Sequence, residues 1–597
     1  MTKPRVLFCT AAGGEYGFGH LKRCLSIIEE ARGLFEGQIL LCRGSDGGVI
    51  SHKTLDPHLS FLYTWEEVGE VDLIVSDQRD TSVQEMTLYS KKAPVIALDD
   101  LGAGQLHAHC TVFSLPTTRE VRGNYTGLRY LVLDPGFRNG VRADETATHV
   151  VVTFGGSDPD DLTGLAVGSL NRLGVRPLVV RGPLFTHGRP KGDYELVDNP
   201  RDMAGVLARA GVVITSFGMT LFEALCLGTP VVLLNHSPYH DELSRTFPGI
   251  ANLGYYADLS DEELDRRLGR VLSEPERLRR VAAELSGLVD ARGAERIVST
   301  AMKVLQGGRS HCFFHHGTYT ALRREEAFSL MACKKCRDLF LCELESLGDI
   351  YGGDYFLSEY ESQYGKSYAL DRENIEGFAR RRLAIIERCF RGGVWRRQTR
   401  DENRARSPGR ILDVGCALGF FLGVARERRW AGTGIEVSDY AARWARDNLG
   451  VEVLTGSFLN AVVEPEGFDA IAFFFVAEHL KDVEKVIERA HTLLKRGGVL
   501  ACALPNRGGI SYCMNRGRYV EEHPRDHYFD TAPRNLIRFL RRYGFRKRRI
   551  RTTGIHPERF FQRVGLGSRV PLLDSFYTGI ARALRLGDTF EYYGIKT

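Results

Sequence analysis

A short apolar run, a Gly-rich turn and then apolar residues at helical spacing recur along most of this chain. Val6-Leu7-Phe8-Cys9-Thr10 is the first run, Gly13, Gly14, Gly17 and Gly19 make the turn, and Leu21, Cys24, Leu25 and Ile28 repeat with the period of a helix. Further runs predict strands at 39–42, 73–76, 95–98, 130–133, 150–154, 178–180, 212–215 and 231–235, with helical stretches between many of them. Strand and helix in alternation specify a parallel sheet covered by helices, an α/β fold. The pattern resumes after residue 408. Arg410-Ile411-Leu412-Asp413-Val414 runs into a second Gly turn, and about 20 residues on another strand ends in Gly434-Ile435-Glu436.

A chain of 597 residues is too long for one core, since domains usually hold roughly 100–200 residues. The pattern divides it into two α/β lobes (1–145 and 146–305), a small cysteine-bearing module (309–345), a connecting segment (346–407) and a last α/β domain (408–597). A net charge of only +5 does not point to nucleic acid. The densest basic run, from Arg541 to Arg551, reads as a solvated face. No stretch of 18 consecutive apolar residues is present, so no membrane span is expected. The apolar start at Val6–Cys9 is too short for a secretory core, so a cytoplasmic location is expected. There the 13 cysteines are expected as thiols or metal ligands, not as a disulfide framework.

Three turns of the first half suit a ligand. In Tyr16-Gly17-Phe18-Gly19-His20 the glycines let the backbone approach closely, and His20 sits where the next helix begins. A turn histidine without chemistry fits that local sequence equally well. Phe154-Gly155-Gly156-Ser157-Asp158-Pro159 and Ser216-Phe217-Gly218-Met219-Thr220 are strand–turn–helix junctions suited to a diphosphate. Glu223, one turn into the following helix, can accept both hydroxyls of a ribose.

These stretches, with Arg23-Cys24, Leu98-Asp99-Asp100 and Leu227-Gly228-Thr229-Pro230, carry a resemblance that runs from about residue 6 to 305. The half resembles the UDP-sugar hydrolases of nonulosonic (pseudaminic) acid biosynthesis and their spore-coat-polysaccharide relatives, which are similar to the MurG-type GT-B glycosyltransferases. The resemblance implies a two-lobed GT-B fold, a UDP-linked sugar as ligand, and His20 as the residue that activates water. It also implies a nucleotide site at Gly156, Ser157, Gly218, Met219, Thr220 and Glu223, with Gly17 and Gly19 lining the substrate. Where the family has an Asn-Gln pair, this chain has Pro238-Tyr239-His240-Asp241-Glu242.

Cys312-Phe313-Phe314-His315 and Cys333-Lys334-Lys335-Cys336 are two knuckles separated by 17 residues, the spacing of a structural zinc ribbon, with His311 and His316 as rival ligands to His315. The segment is similar to the ribbons that precede some sugar- or natural-product-directed methyltransferases. In those a Tyr-rich stretch follows, as Tyr351-Gly352-Gly353-Asp354-Tyr355-Phe356 does here.

In the last domain the turn Gly415-Cys416-Ala417-Leu418-Gly419 and the acidic tip Glu436 follow dinucleotide-type logic: glycines allow close approach and the carboxylate takes ribose hydroxyls. Phe468-Asp469-Ala470-Ile471, Glu478-His479-Leu480, Leu493-Leu494-Lys495-Arg496-Gly497-Gly498-Val499-Leu500 and His527-Tyr528-Phe529 complete a resemblance to class I S-adenosylmethionine-dependent methyltransferases. It implies that Asp413, Gly415, Ala417 and Gly419 line the methionine end and that Glu436 holds the ribose. Ser457 and Phe458 are implied to flank the adenine, with Glu478 and His479 beside the sulfonium. Ala417 replaces a usual glycine, which a negative φ would accommodate. If the acceptor must lose a proton, His479 and His527 are the candidate bases. The joint expectation is a methyltransferase fused to a nucleotide-sugar hydrolase or glycosyltransferase-like half, both serving carbohydrate or natural-product chemistry. In the rival reading the first half only binds a nucleotide sugar.

Overall fold

The computed structural model describes residues 3–12, 19–43, 60–138, 142–144, 146–156, 158–182, 185, 187–306, 312–315, 317–345, 367–390, 409–555 and 571–597. The chain forms two compact units, residues 1–306 with 324–326, and residues 307–323 with 327–597.

The first unit holds two all-parallel sheets. One contains β1 (Arg5–Ala11), β2 (Glu36–Arg43), β3 (Ser60–Leu62), β4 (Leu73–Asp77), β5 (Val95–Leu98), β6 (Cys110–Phe113) and β7 (Tyr125–Thr126) in the order β3-β2-β1-β4-β5-β6-β7. The other contains β8 (Val150–Val152), β9 (Leu178–Arg181), β10 (Glu195–Asp198), β11 (Val212–Thr215), β12 (Val231–Asn235) and β13 (Ala251–Tyr255) in the order β10-β9-β8-β11-β12-β13. The central strands are buried along their whole length, as unbroken apolar runs covered on both faces must be. In each sheet the order reverses beside the first strand, between β1 and β4 and between β8 and β11. Open α/β sheets bind ligands outside the carboxyl ends of strands at such switch points.

The run at 130–133 is not a strand. Leu128–Tyr130 is a 3-10 turn, and Leu131 and Leu133 insert into the core of the second lobe. The helix Gly293–Gln306 lies so tightly over this run that a Cβ on Gly293 would come within 2.1 Å of the Leu131 carbonyl oxygen. The run is apolar because a helix covers it, not because it sits in a sheet.

In the second unit β14 (Tyr319–Arg324), β15 (Phe328–Cys333) and β16 (Leu339–Glu343) form a small sheet. The large sheet contains β17 (Arg410–Val414), β18 (Ala431–Glu436), β19 (Glu452–Thr455), β20 (Phe468–Phe474) and β21 (Leu494–Pro505). Next comes β22 (Phe529–Asp530), which joins the small sheet instead by pairing antiparallel with β16. β23 (Phe545–Thr553) and β24 (Thr589–Lys596) complete the large sheet, whose order is β19-β18-β17-β20-β21-β24-β23, with β24 antiparallel to both neighbours. Its switch point lies between β17 and β20.

The expected connecting segment 346–407 needs correction. Its described part is largely the helix Arg372–Phe390, whose Ala379, Leu383, Ile386 and Phe390 pack with Ile411, Phe421 and Tyr593 in the core of the large sheet. An apolar residue on every turn of one face makes this helix part of the last domain. The Tyr-rich stretch that begins at Tyr351 lies outside the described residues. The basic run falls on β23, an edge strand on which Arg546, Lys547, Arg548 and Arg549 are exposed. Charged side chains on a sheet edge discourage pairing with another chain. Among the described residues no helix is long and apolar enough to cross a membrane, and no two cysteines form a disulfide.

Candidate active sites

The first site lies at the carboxyl ends of β1 and β4. The helix Gly19–Glu30 follows β1 and carries His20 in its first turn. The Nδ1 of His20 lies 2.7 Å from Asp77 Oδ1, at the end of β4. Asp77 is buried and also accepts from the guanidinium of Arg23, which bridges to Asp99. Burial alone would raise the Asp77 carboxyl, but Arg23 and His20 outweigh it and hold the group below the usual carboxylate range. Asp99 in turn accepts from the Ser114 and Leu115 amides at 2.6 and 2.9 Å. A carboxylate on Nδ1 fixes the proton there and leaves Nε2 as the basic nitrogen. Arg23 and Asp99, known from the sequence only as motif residues, thus form the support beneath His20. Asp77 went unread; its signal was an acidic residue closing a buried run, LIVSD.

Across the unit, the helix Met219–Leu227 begins at the end of β11, and Gly218 ahead of it makes no side-chain cap. A Cβ on Gly218 would meet nothing within 4 Å, so the amides of this helix start face open space. An uncapped helix start favours an anion. Thr220 is buried in the first turn, and Met219 packs at the edge of the core. The Glu223 carboxyl is pushed up to about 7 by burial, with Lys22 of the first lobe pulling it down and Asp134 pushing it further up. The second turn behaves differently. Asp158 accepts from the Leu162 and Thr163 amides and Asp161 from the Gly164 amide, so two carboxylates already cap the helix Leu162–Arg172. That helix start is not open to a diphosphate; Gly155 and Gly156 face open space and contribute backbone only. Gly17 and Ser157 lie outside the described residues. At the start of the helix Pro238–Ser244, the rings of His236 and His240 meet at a tilt, 4.1 Å between centroids. Burial and the neighbouring His236 lower His240 to about 4.

In the small module Cys312 Sγ lies 3.3 Å from Cys336 Sγ and 3.6 Å from His315 Nδ1, and Cys333 Sγ lies 3.5 Å from that nitrogen. A tetrahedral zinc with Zn–S of about 2.3 Å and Zn–N of about 2.0 Å needs ligand separations of roughly 3.5–3.8 Å. The two sulfur–nitrogen separations match this, the Cys312–Cys336 pair is somewhat closer, and the four atoms lie close enough together to hold one ion. His311 and His316 lie outside the described residues.

The third site lies where β17 and β20 part. Gly415, Ala417 and Gly419 all have positive φ, at 69°, 49° and 77°. A Cβ on Gly415 would come within 2.5 Å of Val476, so glycine is needed there twice over. The negative φ that would accommodate alanine at 417 is thus not the one adopted. Glu436 closes β18; its Oε2 accepts from the Ala417 amide at 2.8 Å and its Oε1 from the Ser438 amide at 2.9 Å. Burial raises its pKa against those two amides. Asp413 is buried beside it and pushed up to about 8 by desolvation, with Arg382 pulling down and Glu436 pushing up. Ser457 is exposed beyond β19. Phe458 is 3% exposed, edge-on to Phe473 under the Arg489 guanidinium. Glu478 and His479 follow β20, and His527 precedes β22. The rings of His479 and His527 meet edge to face at 4.8 Å. His527 bonds Asp530 through Nδ1 at 3.2 Å. Burial would lower His527, but Asp530, Glu478 and Asp526 outweigh it and push it up to about 9.

Residues 388–550 match the protein family described as "Methyltransferase domain". This stretch is a methyltransferase domain. A ubiquinone biosynthesis O-methyltransferase of Azotobacter vinelandii is 31% identical over 123 residues, which is 19% of this chain and 52% of that protein. The first half is similar to the spore coat polysaccharide biosynthesis protein SpsG of Bacillus subtilis, 29% identical over 203 residues, 30% of this chain and 59% of that one. The chain therefore spans between half and two thirds of the length of these curated relatives. A solved MurG of Acinetobacter baumannii superposes on 50% of this chain and 99% of its own, at 12% identity and a TM-score of 0.38.

The Ala417 backbone of the methyltransferase domain carries a testable cost. A left-handed conformation is unfavourable for an L-residue by roughly 1–2 kcal/mol, offset in part by the lower unfolded-state entropy of alanine. Ala417→Gly is expected to stabilise the second unit by up to about 1 kcal/mol. Urea unfolding checks this, and an unchanged or lower midpoint means that the position is not strained.

Proposed function

We propose that the methyltransferase domain transfers a methyl group from S-adenosylmethionine to a sugar or glycosylated small molecule, and that the first half acts on a UDP-linked sugar. The observation that carries the cofactor reading is Glu436 at the switch point. Each of its oxygens holds one amide, so each keeps a lone pair for a ribose hydroxyl. When bound, S-adenosylmethionine supplies an electrophilic methyl on sulfur. The chain's part is then mostly positioning. Glu436 would take the ribose, the Gly415–Gly419 turn would admit the methionine end beside Asp413, and Ser457 would flank the adenine. Glu478, His479 and His527 stand by the acceptor.

Glu436→Ala tests this reading. Loss of two charge-assisted hydrogen bonds, worth about 1.5–3 kcal/mol each before solvent compensation, should weaken the cofactor about tenfold or more. Calorimetry on the full chain measures it, and unchanged affinity would sink the assignment.

For the first half, the support is His20 held by Asp77 at one switch point, opposite the open helix start at Gly218–Thr220 with Glu223 at the other. A UDP-sugar bound through that helix start would present its anomeric carbon to a water or hydroxyl that His20 deprotonates. The likeness to a spore coat polysaccharide biosynthesis protein supports a carbohydrate substrate. The four-ligand cluster Cys312, His315, Cys333 and Cys336 we read as structural zinc, because four closed ligands leave no position for substrate.

A further inference from the structure

Two histidines and a carboxylate converge beside the switch point of the methyltransferase domain. An oxygen of Glu478 and a ring nitrogen each of His479 and His527 all lie within 4.8 Å of one another. Glu478 is 1% exposed, and its Oε2 has no hydrogen-bond partner among the described residues. A buried carboxylate oxygen left without a donor is costly, so it marks a place where a cation belongs.

The surroundings of the two imidazoles agree. His479 Nδ1 lies 3.0 Å from Asp526 Oδ2, and His527 Nδ1 lies 3.2 Å from Asp530 Oδ1. Metal-binding histidines commonly carry a carboxylate on the ring nitrogen that does not bind the ion, which fixes the ring and raises its basicity. Both histidines are held this way at Nδ1. Asp530 is itself fixed by the Tyr519 hydroxyl at 2.5 Å and by His523 at 3.2 Å. His523 is fully buried behind Asp530 and serves as a second layer.

We propose that Glu478, His479 and His527 form a divalent transition-metal site whose remaining coordination positions take an oxygen of the methyl acceptor. Two imidazoles and one carboxylate suit zinc, manganese or ferrous iron and leave positions open. The Cys-rich cluster is chemically distinct, since thiolates select softer ions. The ion depends on these residues alone; only the identity of the oxygen ligand rests on the methyl-transfer reading. An acceptor with a hydroxyl or carboxylate oxygen near the methylated atom is the class that fits.

Manganese is the probe, because the thiolate ribbon discriminates against it. Titration of the full-length protein with Mn²⁺, following the free ion by electron paramagnetic resonance, should reveal one site per chain. Asp526→Ala should weaken it by about 10–100-fold, the usual cost of removing an outer partner of a metal-bound histidine. Glu478→Gln should weaken it at least as much; if that variant does not fold, His527→Asn carries the same expectation. The proposal is overturned if wild-type protein binds no Mn²⁺ at millimolar concentration, or if the variants bind it as tightly as wild type. Calorimetry with S-adenosylmethionine on the same samples separates the two readings. Protein that binds Mn²⁺ but no S-adenosylmethionine upholds the metal site and sinks the cofactor assignment.

Discussion

His20→Ala is expected to slow UDP release from a UDP-activated sugar by about 10²–10⁴-fold, the usual worth of a positioned base. The side chain sits in the first turn of the helix after β1, with Nδ1 on a buried carboxylate. Asp77 keeps its negative charge because Arg23 lies against it. His20 is therefore oriented and supplied with a counter-charge, as a proton acceptor requires. Nucleotide affinity should change little, because the proposed contacts come from Gly218, Thr220 and Glu223 of the other lobe. Methylation should be untouched. Release of UDP and nucleotide binding are measured on the same protein. A variant as fast as wild type makes His20 a turn residue only. A wild type that binds UDP-sugars but releases UDP from none of them makes the first half a binding module.

Cys333→Ser should remove one zinc per chain and, with it, the order of the small sheet. Structural zinc in small modules contributes apparent free energies of about 10–16 kcal/mol at neutral pH, so such modules fold with the ion or not at all. The consequence reaches further here. β16 pairs with β22 at Leu339↔Asp530 and Phe340↔Phe529, and the Asn535 amide donates to the Cys336 carbonyl at 3.2 Å and to Asp338 at 2.7 Å. The strand that carries Asp530, and through it His527, is thus one more strand of the ribbon. Misplacement of reacting groups by about 1 Å can cost about 10²-fold. Methyl transfer is expected to fall by about that factor, while the unfolding of the first unit stays as in wild type. Metal analysis and two-unit melting curves check both parts. Wild-type protein prepared without chelator that contains no zinc would refute the assignment.

Much of the architecture was legible because parallel sheets write themselves as buried apolar runs followed by Gly turns. β1, β2, β4, β5, β8, β9, β11 and β12 fall where those runs predict strands. The run at 130–133 has the same composition yet packs under a helix, and periodicity cannot tell the two burials apart. The helix Arg372–Phe390 fell inside the expected connecting segment, because its polar face is dense in arginine and glutamate and masks the apolar stripe. Site residues on motif turns were readable in the same way, since glycine and the acidic strand tip serve close approach and ribose binding. Residues that act through another residue were not. Asp77, Asp526 and Asp530 matter because the fold brings them to a histidine, although His523, His527 and Asp530 do stand at intervals of four and three. Phe458 is ambiguous for the opposite reason: an aromatic beside a ligand turn can also face the core, and here it lies edge-on to Phe473.

The pairing of β16 with β22 also sets a clock on biosynthesis. The ribbon leaves the ribosome with β16 as a bare edge, and its partner follows roughly 190 residues later. At about 5–20 residues per second that edge waits about 10–40 s. It is a buried, apolar strand in the finished molecule, Leu-Phe-Leu-Cys-Glu, and an unpaired strand of that kind is a template for wrong partners. Nascent chains stalled anywhere in that interval would expose it, whereas chains released past residue 530 would not.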